Sequence, residues 1–337
     1  MLFVLLLALP AVARAEWEQR EIHGRGYVSI PSIKENYHFN EMKTTGKRVV
    51  IQRVDPKSGK AITNITFNLG ATECLMNGMK FVFSYPVATA AGKAWVSRID
   101  LAKLIHPVLS PNFIKDAGDF KTVIIDPGHG GQDLGATNPL GHESRYNLQV
   151  AKYLKAILEK GGYKVVMTRS DDHFLTLQQR VQVANNVQEN AIFISIHHNS
   201  ASSRARGIET FTLSPVGVAH YGRGLKQSDY HSVAGNSHDS ANVALATAVH
   251  GMIYSTYCSD KKGNFYSTLD RGIKRARFSV LSGVRHPAIL VECGFLTNPS
   301  EAKWINNSQS RQNIAKLIAG AIARYKFAVS RGAKAQR

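Results

Sequence analysis

Three hydrophobic, strand-like runs in this chain each stop on a residue able to bind or serve a metal. Val123-Ile-Ile-Asp-Pro-Gly-His129 runs into a glycine turn, Ile192-Phe-Ile-Ser-Ile-His197 ends at a histidine pair, and Ala288-Ile-Leu-Val-Glu292 ends on an acid. Continuous apolar runs of this length, set between helical patterns, read as strands of a parallel sheet covered on both faces. Such a sheet brings its strand C-termini to one crevice, where α/β proteins bind ligands. Two histidines and a carboxylate gathered there suggest a zinc hydrolase rather than a passive module.

The surrounding sequence supports that architecture. After the strand Val123–Ile125, a helix is expected from about Glu143 to Lys160, with Val150, Leu154, Ile157 and Leu158 at helical spacing and Gly161-Gly162 as its stop. A strand follows at Lys164–Thr168. Thr176 with Gln179 then reads as a capping box opening another helix, which buries Val181, Ala184 and Val187. Further strands are expected at Ala191–Ile196, Gly207–Leu213 and Ala288–Val291, and helices at about Ser240–Tyr257, Ser300–Ile305 and Gln309–Ala328. The alternation predicts an α/β class: a mostly parallel twisted sheet flanked by helices.

The first third of the chain has a different texture. Arg48–Arg53, Ala61–Phe67, Lys80–Ser84 and Ala94–Ser97 are short β-rich runs, Asp55–Lys60 has hairpin-turn chemistry, and Ile99–Val108 reads as a short helix. The residues before it, Met1 to Ala15, combine an apolar run with Ala13-Arg14-Ala15, the pattern of a secretory leader and its cleavage site. That run is too short to cross a bilayer as a permanent helix. The expected division is therefore a leader at 1–15, a small β-rich accessory domain at 16–111, a linker at 112–119, the α/β domain at 120–329 and a loose basic tail at 330–337. Export to the periplasm, the cell wall or the medium follows from the leader. Three cysteines, Cys74, Cys258 and Cys293, are too few and too irregular for a disulfide framework.

A formal net charge of +18 points to a polyanionic partner, whether nucleic acid, anionic lipid or acidic wall polymer. No helix-turn-helix, zinc-finger or aromatic RNA-binding signature accompanies it, and export speaks against nucleic acid.

Within the α/β part, glycines around His129 let the backbone turn and carry the imidazole over the strand end. Glu143 opens the next helix and His197 ends the adjacent strand, giving a His-Glu-His set suited to zinc. Strand alternation puts Phe193, Ser195 and His197 on one face and favours His197 over its neighbour His198 as a ligand. His142, beside Glu143, is a further competitor. An unpaired acid such as Glu292 at the end of an apolar strand is costly unless it is used.

With those residues in view, the chain resembles the zinc-dependent N-acetylmuramoyl-L-alanine amidases of the type-3 amidase domain family. Val123-Ile-Ile-Asp-Pro-Gly-His-Gly-Gly131, Phe193-Ile-Ser-Ile-His-His-Asn199 and Leu290-Val-Glu-Cys-Gly-Phe-Leu-Thr-Asn-Pro299 carry the likeness, which extends over about Phe120 to Val329. It implies one zinc ion held by His129, Glu143 and His197, Glu292 as the catalytic acid, and hydrolysis of the peptidoglycan amide joining the lactyl group of muramic acid to L-alanine. Asp270-Arg-Gly-Ile-Lys-Arg-Ala-Arg277 is similar to the family's loop before the last strand. Arg271 and Lys274, with Asn199, are thereby candidates to meet the substrate, and Glu209 a candidate supporting residue behind the ligands.

The sequence departs from the family pattern at His198, where a small residue is usual, and over Ser214–Ser237, which is longer and richer in glycine and histidine. Some relatives carry an inserted helix that blocks the site until a protein activator binds; this segment has no clear amphipathic helix. A partner-activated or non-catalytic peptidoglycan-binding protein is the alternative reading. The first third is similar, through Tyr27-Val-Ser-Ile-Pro31 and Ala94-Trp-Val-Ser-Arg-Ile-Asp-Leu101, to the stalk-like N-terminal domain of copper amine oxidases, and reads as a wall-binding or spacer domain.

Overall fold

The computed structural model describes residues 16–114, 117, 119–258 and 268–335. The expected leader at 1–15 lies outside the described residues, as do Lys115, Asp116 and Gly118 of the expected linker.

The first third forms nine strands: β1 (Gln19–Ile22), β2 (Arg25–Ser29), β3 (Glu41–Thr45), β4 (Arg48–Val54), β5 (Ala61–Asn68), β6 (Glu73–Met76), β7 (Met79–Val82), β8 (Ala88–Ala90) and β9 (Lys93–Ser97). A helix the sequence did not announce, α1 (Ile30–Asn36), starts where Ser29 caps the N–H of Ser32 and Pro31 fits the first turn. Two short turns of helix, α2 (Arg98–Asp100) and α3 (His106–Leu109), flank an irregular turn at Leu101–Ile105.

The second part contains β10 (Thr122–Pro127), a two-residue hairpin of β11 (Thr137–Asn138) and β12 (Gly141–His142), α4 (Glu143–Lys160), β13 (Lys164–Met167), α5 (Leu177–Asn185), β14 (Ala191–Asn199), β15 (Ile208–Leu213), α6 (Asp239–Tyr257), β16 (Asp270–Ala276), α7 (Ser279–Gly283), β17 (Ala288–Phe295), α8 (Pro299–Asn306) and α9 (Ser308–Ala335). The expected capping box is formed by Thr176 and Gln179. Gly162, at φ 81°, takes the left-handed turn that ends α4.

One expectation is corrected. Asp270–Ala276, expected as a loop, is a strand of the central sheet, because β15 and β7 pair with it on either side. Of the expected tail at 330–337, residues through Ala335 continue α9, and the last two lie outside the described residues.

The main sheet has eleven strands in the order β13-β10-β14-β17-β15-β16-β7-β6-β5-β4-β3, and β1-β2-β9-β8 make a second, smaller sheet. Strands β13, β10, β14 and β17 are mutually parallel, β15 runs antiparallel to β17, and the sheet turns antiparallel beyond β7. Every residue of β10 is buried, which explains its unbroken apolar run: Val123 and Ile125 share one hydrophobic cluster with residues of α4 and α9, and Ile124 shares another with residues of α5 and α7.

The N-terminal strands join this sheet at β7, where Phe81 pairs with Ile273 of β16. The amide of Lys80 donates to Asp270 Oδ2 at 2.7 Å, and Arg275 Nη2 donates to the carbonyl of Lys103 at 2.7 Å. Phe67, Phe81, Leu104, Leu245 and Ile273 belong to one hydrophobic core. Cys74, Cys258 and Cys293 are free thiols.

Phe81 has no exposed surface. Phe81→Ala is expected to destabilise the chain by about 3–5 kcal/mol, and urea unfolding should remain a single transition because the core is shared. Two separated transitions would show that the junction does not couple the two parts.

Candidate metal centre and active site

Strand β10 delivers the first candidate ligand through a forced turn. The amide of Gly128 donates to the carbonyl of Ile196 at 3.0 Å, and His129 takes φ 60°, a left-handed conformation rare outside glycine. Position 128 tolerates only glycine: a Cβ there would lie 2.1 Å from His197 Cε1. At Gly135 a Cβ would lie 2.6 Å from Glu143 Oε2 and 2.7 Å from His129 Cδ2. The backbone is thus pressed against the side chains it positions.

Buried polar groups hold that turn from behind. Asp126 accepts from Arg180 Nη1 at 2.9 Å, Thr168 Oγ1 at 2.6 Å and Ser195 Oγ at 2.8 Å. Burial alone would raise the Asp126 pKa, but the Arg180 charge and these hydrogen bonds hold it below the ordinary carboxylate value. Arg180 also donates to the carbonyls of Pro127 and His129, and Arg169 to those of Pro127, Gly128 and Ser144. The sequence pointed to none of these roles. Its one signal was a pair of arginines, Arg169 and Arg180, in segments otherwise patterned for burial.

His129, Glu143 and His197 come together, with one potential ligand atom of each within 4.8 Å of the others. Glu143 Oε1 lies 2.9 Å from His197 Nδ1 and 3.3 Å from His129 Nε2. Tetrahedral zinc with bonds of about 2.0–2.1 Å would set its ligand atoms about 3.3 Å apart, so the donor set and its spacing both fit that ion. Glu143 Oε2 accepts from the amide of Ala136 at 2.9 Å, and Asn147 Nδ2 and the amide of His198 both reach Oε1 at 3.2 Å. Burial works to raise the Glu143 pKa, but the two imidazoles outweigh it and hold the group far below the usual carboxylate range.

Asp133, four residues beyond His129, places Oδ2 2.8 Å from His129 Nδ1 and so leaves Nε2 facing Glu143. Burial lowers the His129 pKa; the carboxylates of Glu143 and Asp133 outweigh it and leave the group raised. The two other histidines point elsewhere. His198 is buried on the opposite face of β14, with Nδ1 2.8 Å from Asn147 Oδ1, and burial draws its pKa down to about 4. His142 lies 2.8 Å from Ser144 Oγ at the start of α4.

The register puts Glu292 beside this cluster, opposite His197 on one side and Glu209 on the other. Its Oε2 is buried, with no hydrogen-bond partner among the described residues. Burial first, and then the Glu143 and Glu209 charges, push its pKa well above the ordinary value.

Glu209 gathers the three residues expected to meet substrate. Asn199 Nδ2 donates to its Oε1 at 2.6 Å, Arg271 Nε to its Oε2 at 2.9 Å, and Lys274 Nζ also bonds Oε2. The Lys274 side chain is 5% exposed, paired with Glu209 and set 4.5 Å above the Tyr221 ring. Asn199 is likewise engaged with Glu209. Arg271 retains 35% exposure.

Removing the carboxylate behind His129 by Asp133→Asn is expected to weaken zinc binding about 10–100-fold, measured by competition with a chelating dye. Gly128→Ala should abolish it, because a Cβ would displace His197. Unchanged affinity in both variants would mean that these residues do not shape a metal site.

The pattern of the N-acetylmuramoyl-L-alanine amidase family matches residues 123–324. YqiI, an uncharacterized protein of Bacillus subtilis, is 35% identical over 205 residues, covering 61% of this chain and 84% of its own length. The N-acetylmuramoyl-L-alanine amidase AmiC of Neisseria meningitidis is 34% identical over 217 residues, and the chain spans only 52% of that protein's length. The N-acetylmuramoyl-L-alanine amidase AmiA of Salmonella typhimurium is 30% identical over 227 residues, covering 63% of this chain and 78% of its own length. A solved structure of an N-acetylmuramoyl-L-alanine amidase from Clostridium difficile is 33% identical and covers 62% of this chain at a TM-score of 0.49. With the family pattern spanning residues 123–324, a stretch that contains the His-Glu-His cluster and Glu292, the chain belongs to the N-acetylmuramoyl-L-alanine amidase family.

Proposed function

We propose that this chain is a zinc-dependent amidase that cuts the bond between the lactyl group of N-acetylmuramic acid and L-alanine in peptidoglycan, releasing stem peptides. The observation that carries the proposal is the unpartnered Oε2 of Glu292, buried beside a His-Glu-His cluster in a family of amidases. His129, Glu143 and His197 would hold one zinc ion. Bound there, zinc would supply a Lewis acid that eases deprotonation of water and polarises the scissile carbonyl.

Glu292 does the proton work. Its carboxylate takes a proton from the attacking water as the new carbon–oxygen bond forms, then gives it to the nitrogen of L-alanine as the carbon–nitrogen bond breaks. The products are a muramoyl carboxylic acid and a peptide with a free amino terminus. Glu209 serves as a positioning residue. By tying Asn199, Arg271 and Lys274 together across the register from Glu292, it fixes the wall of the site and keeps a second negative charge near the acid. Export to the periplasm or cell wall is part of this reading, since that is where the polymer lies.

The test is incubation of the purified protein with peptidoglycan, with zinc or with chelator, followed by mass spectrometry. Free peptides beginning with L-alanine are expected, and Glu292→Gln should slow their release by about a hundredfold to ten-thousandfold while still binding one zinc. A variant as fast as the parent, or a zinc-loaded parent that releases nothing, would sink the assignment.

Metal binding should also depend on pH in a definite direction. In the metal-free protein the raised His129 pKa stabilises the fold at low pH, and that contribution is lost as pH climbs through the raised value. Zinc needs the neutral imidazole, so its own stabilisation runs the other way. The zinc-induced rise in Tm should grow between about pH 5.5 and pH 8; a rise that shrinks over that range would exclude His129 as a ligand.

A further inference from the structure

Away from the metal centre, a cleft of about 670 Å3 opens between the first third of the chain and the segment that follows β15. Arg25, Tyr85, Arg98 and Lys103 line it from one side, and Val216, Gly217 and Tyr230 from the other. The two walls are tied together by the Tyr85 hydroxyl, which donates to the carbonyl of Gly217 at 2.6 Å. Among the described residues, none that lines it is acidic.

Its cations are unequally free. Lys103 lies 3.4 Å from Asp239 Oδ2 and is partly committed. Arg25 and Arg98 are exposed and pair with no acid among the described residues; Arg25 stacks 4.3 Å over the Tyr85 ring. Tyr230 is 52% exposed and presents an uncovered aromatic surface. Unpaired guanidinium groups beside an open ring suit a ligand with carboxylates on a body that has apolar faces. A cleft of this volume holds a unit of drug-like size rather than a lone ion.

We propose that this cleft is a second binding site for peptidoglycan, taking stem-peptide carboxylates and sugar faces at a point on the polymer away from the scissile amide. The proposal rests on the amidase reading of the metal centre. A single strand of nucleic acid would need successive open rings for its bases. Here Tyr85 is already covered by Arg25 and tethered to Gly217, which favours the glycan.

The site is tested by binding, separately from turnover. Zinc-loaded full chain carrying Glu292→Gln is titrated with peptidoglycan stripped of phosphate polymers, with walls that retain those polymers, and with oligo-dT. Arg25→Gln with Arg98→Gln is then compared with a charge-matched control, Lys316→Gln with Arg324→Gln, on the exposed surface of α9. The cleft pair should weaken binding to stripped peptidoglycan about tenfold or more, with the control unchanged and melting temperatures matched. Equal losses in both pairs would overturn the site in favour of diffuse charge. A loss confined to phosphate-bearing walls or to oligo-dT would overturn its assignment to peptidoglycan. Cleavage of a soluble muramoyl-L-alanyl peptide by the parent protein checks the metal centre independently, so failure there is distinguishable from failure of the cleft.

Discussion

The site hangs on one carboxylate. Glu143 is buried at the first turn of α4, and a charge in such a place, left uncompensated, costs several kcal/mol. The compensation comes from three directions: His129 at the end of β10, His197 and the amide of His198 at the end of β14, and the amide of Ala136 from the loop between. Each donor belongs to a different stretch of chain, so satisfying one acid requires the strand ends, the loop and the helix start to converge. The same demand that stabilises the fold gathers a zinc-type donor set.

A second buried charge system supports the first. Asp126 and Arg180 form an ion pair with almost no exposed surface, and Arg180 and Arg169 spend their remaining donors on carbonyls of residues 127–129 and 144. The carbonyls of Gly128 and His129 lie past the end of β10, in the turn that lifts His129, and it is there that the arginines meet them. Two arginines therefore do for this turn what a neighbouring strand does for regular backbone.

Much of this was legible in the sequence. Strand-length apolar runs, the span of α4 and the Thr176–Gln179 capping box depend on local periodicity and local hydrogen bonds, and these the residues express directly. The relation between His197 and His198 was legible for the same reason, since strand alternation fixes which side chain faces which way. What stayed hidden depends on distant partners. β16 looked like a basic loop because Arg271, Lys274 and Arg275 interrupt it, and nothing nearby says that Glu209, Thr212 and the carbonyl of Lys103 neutralise or bond them. Asp133 was unmarked because an acid in a glycine-rich loop reads as surface until the imidazole it orients is seen. The join between the N-terminal strands and the main sheet is equally non-local: the Lys80–Asp270 hydrogen bond spans 190 residues.

That join bears on how the chain can be cut. A strand at the margin of a sheet leaves backbone donors and acceptors open to any passing chain, and proteins guard such margins with bulges, prolines or outward charge. In this molecule β16 is interior, sheltered by β7, and its middle is given over to buried Ile273 and Lys274. A shortened version beginning near residue 120 would turn β16 into an unguarded rim. Self-association through that rim, rather than loss of the metal centre, is the hazard that anyone isolating the second part alone would have to design against.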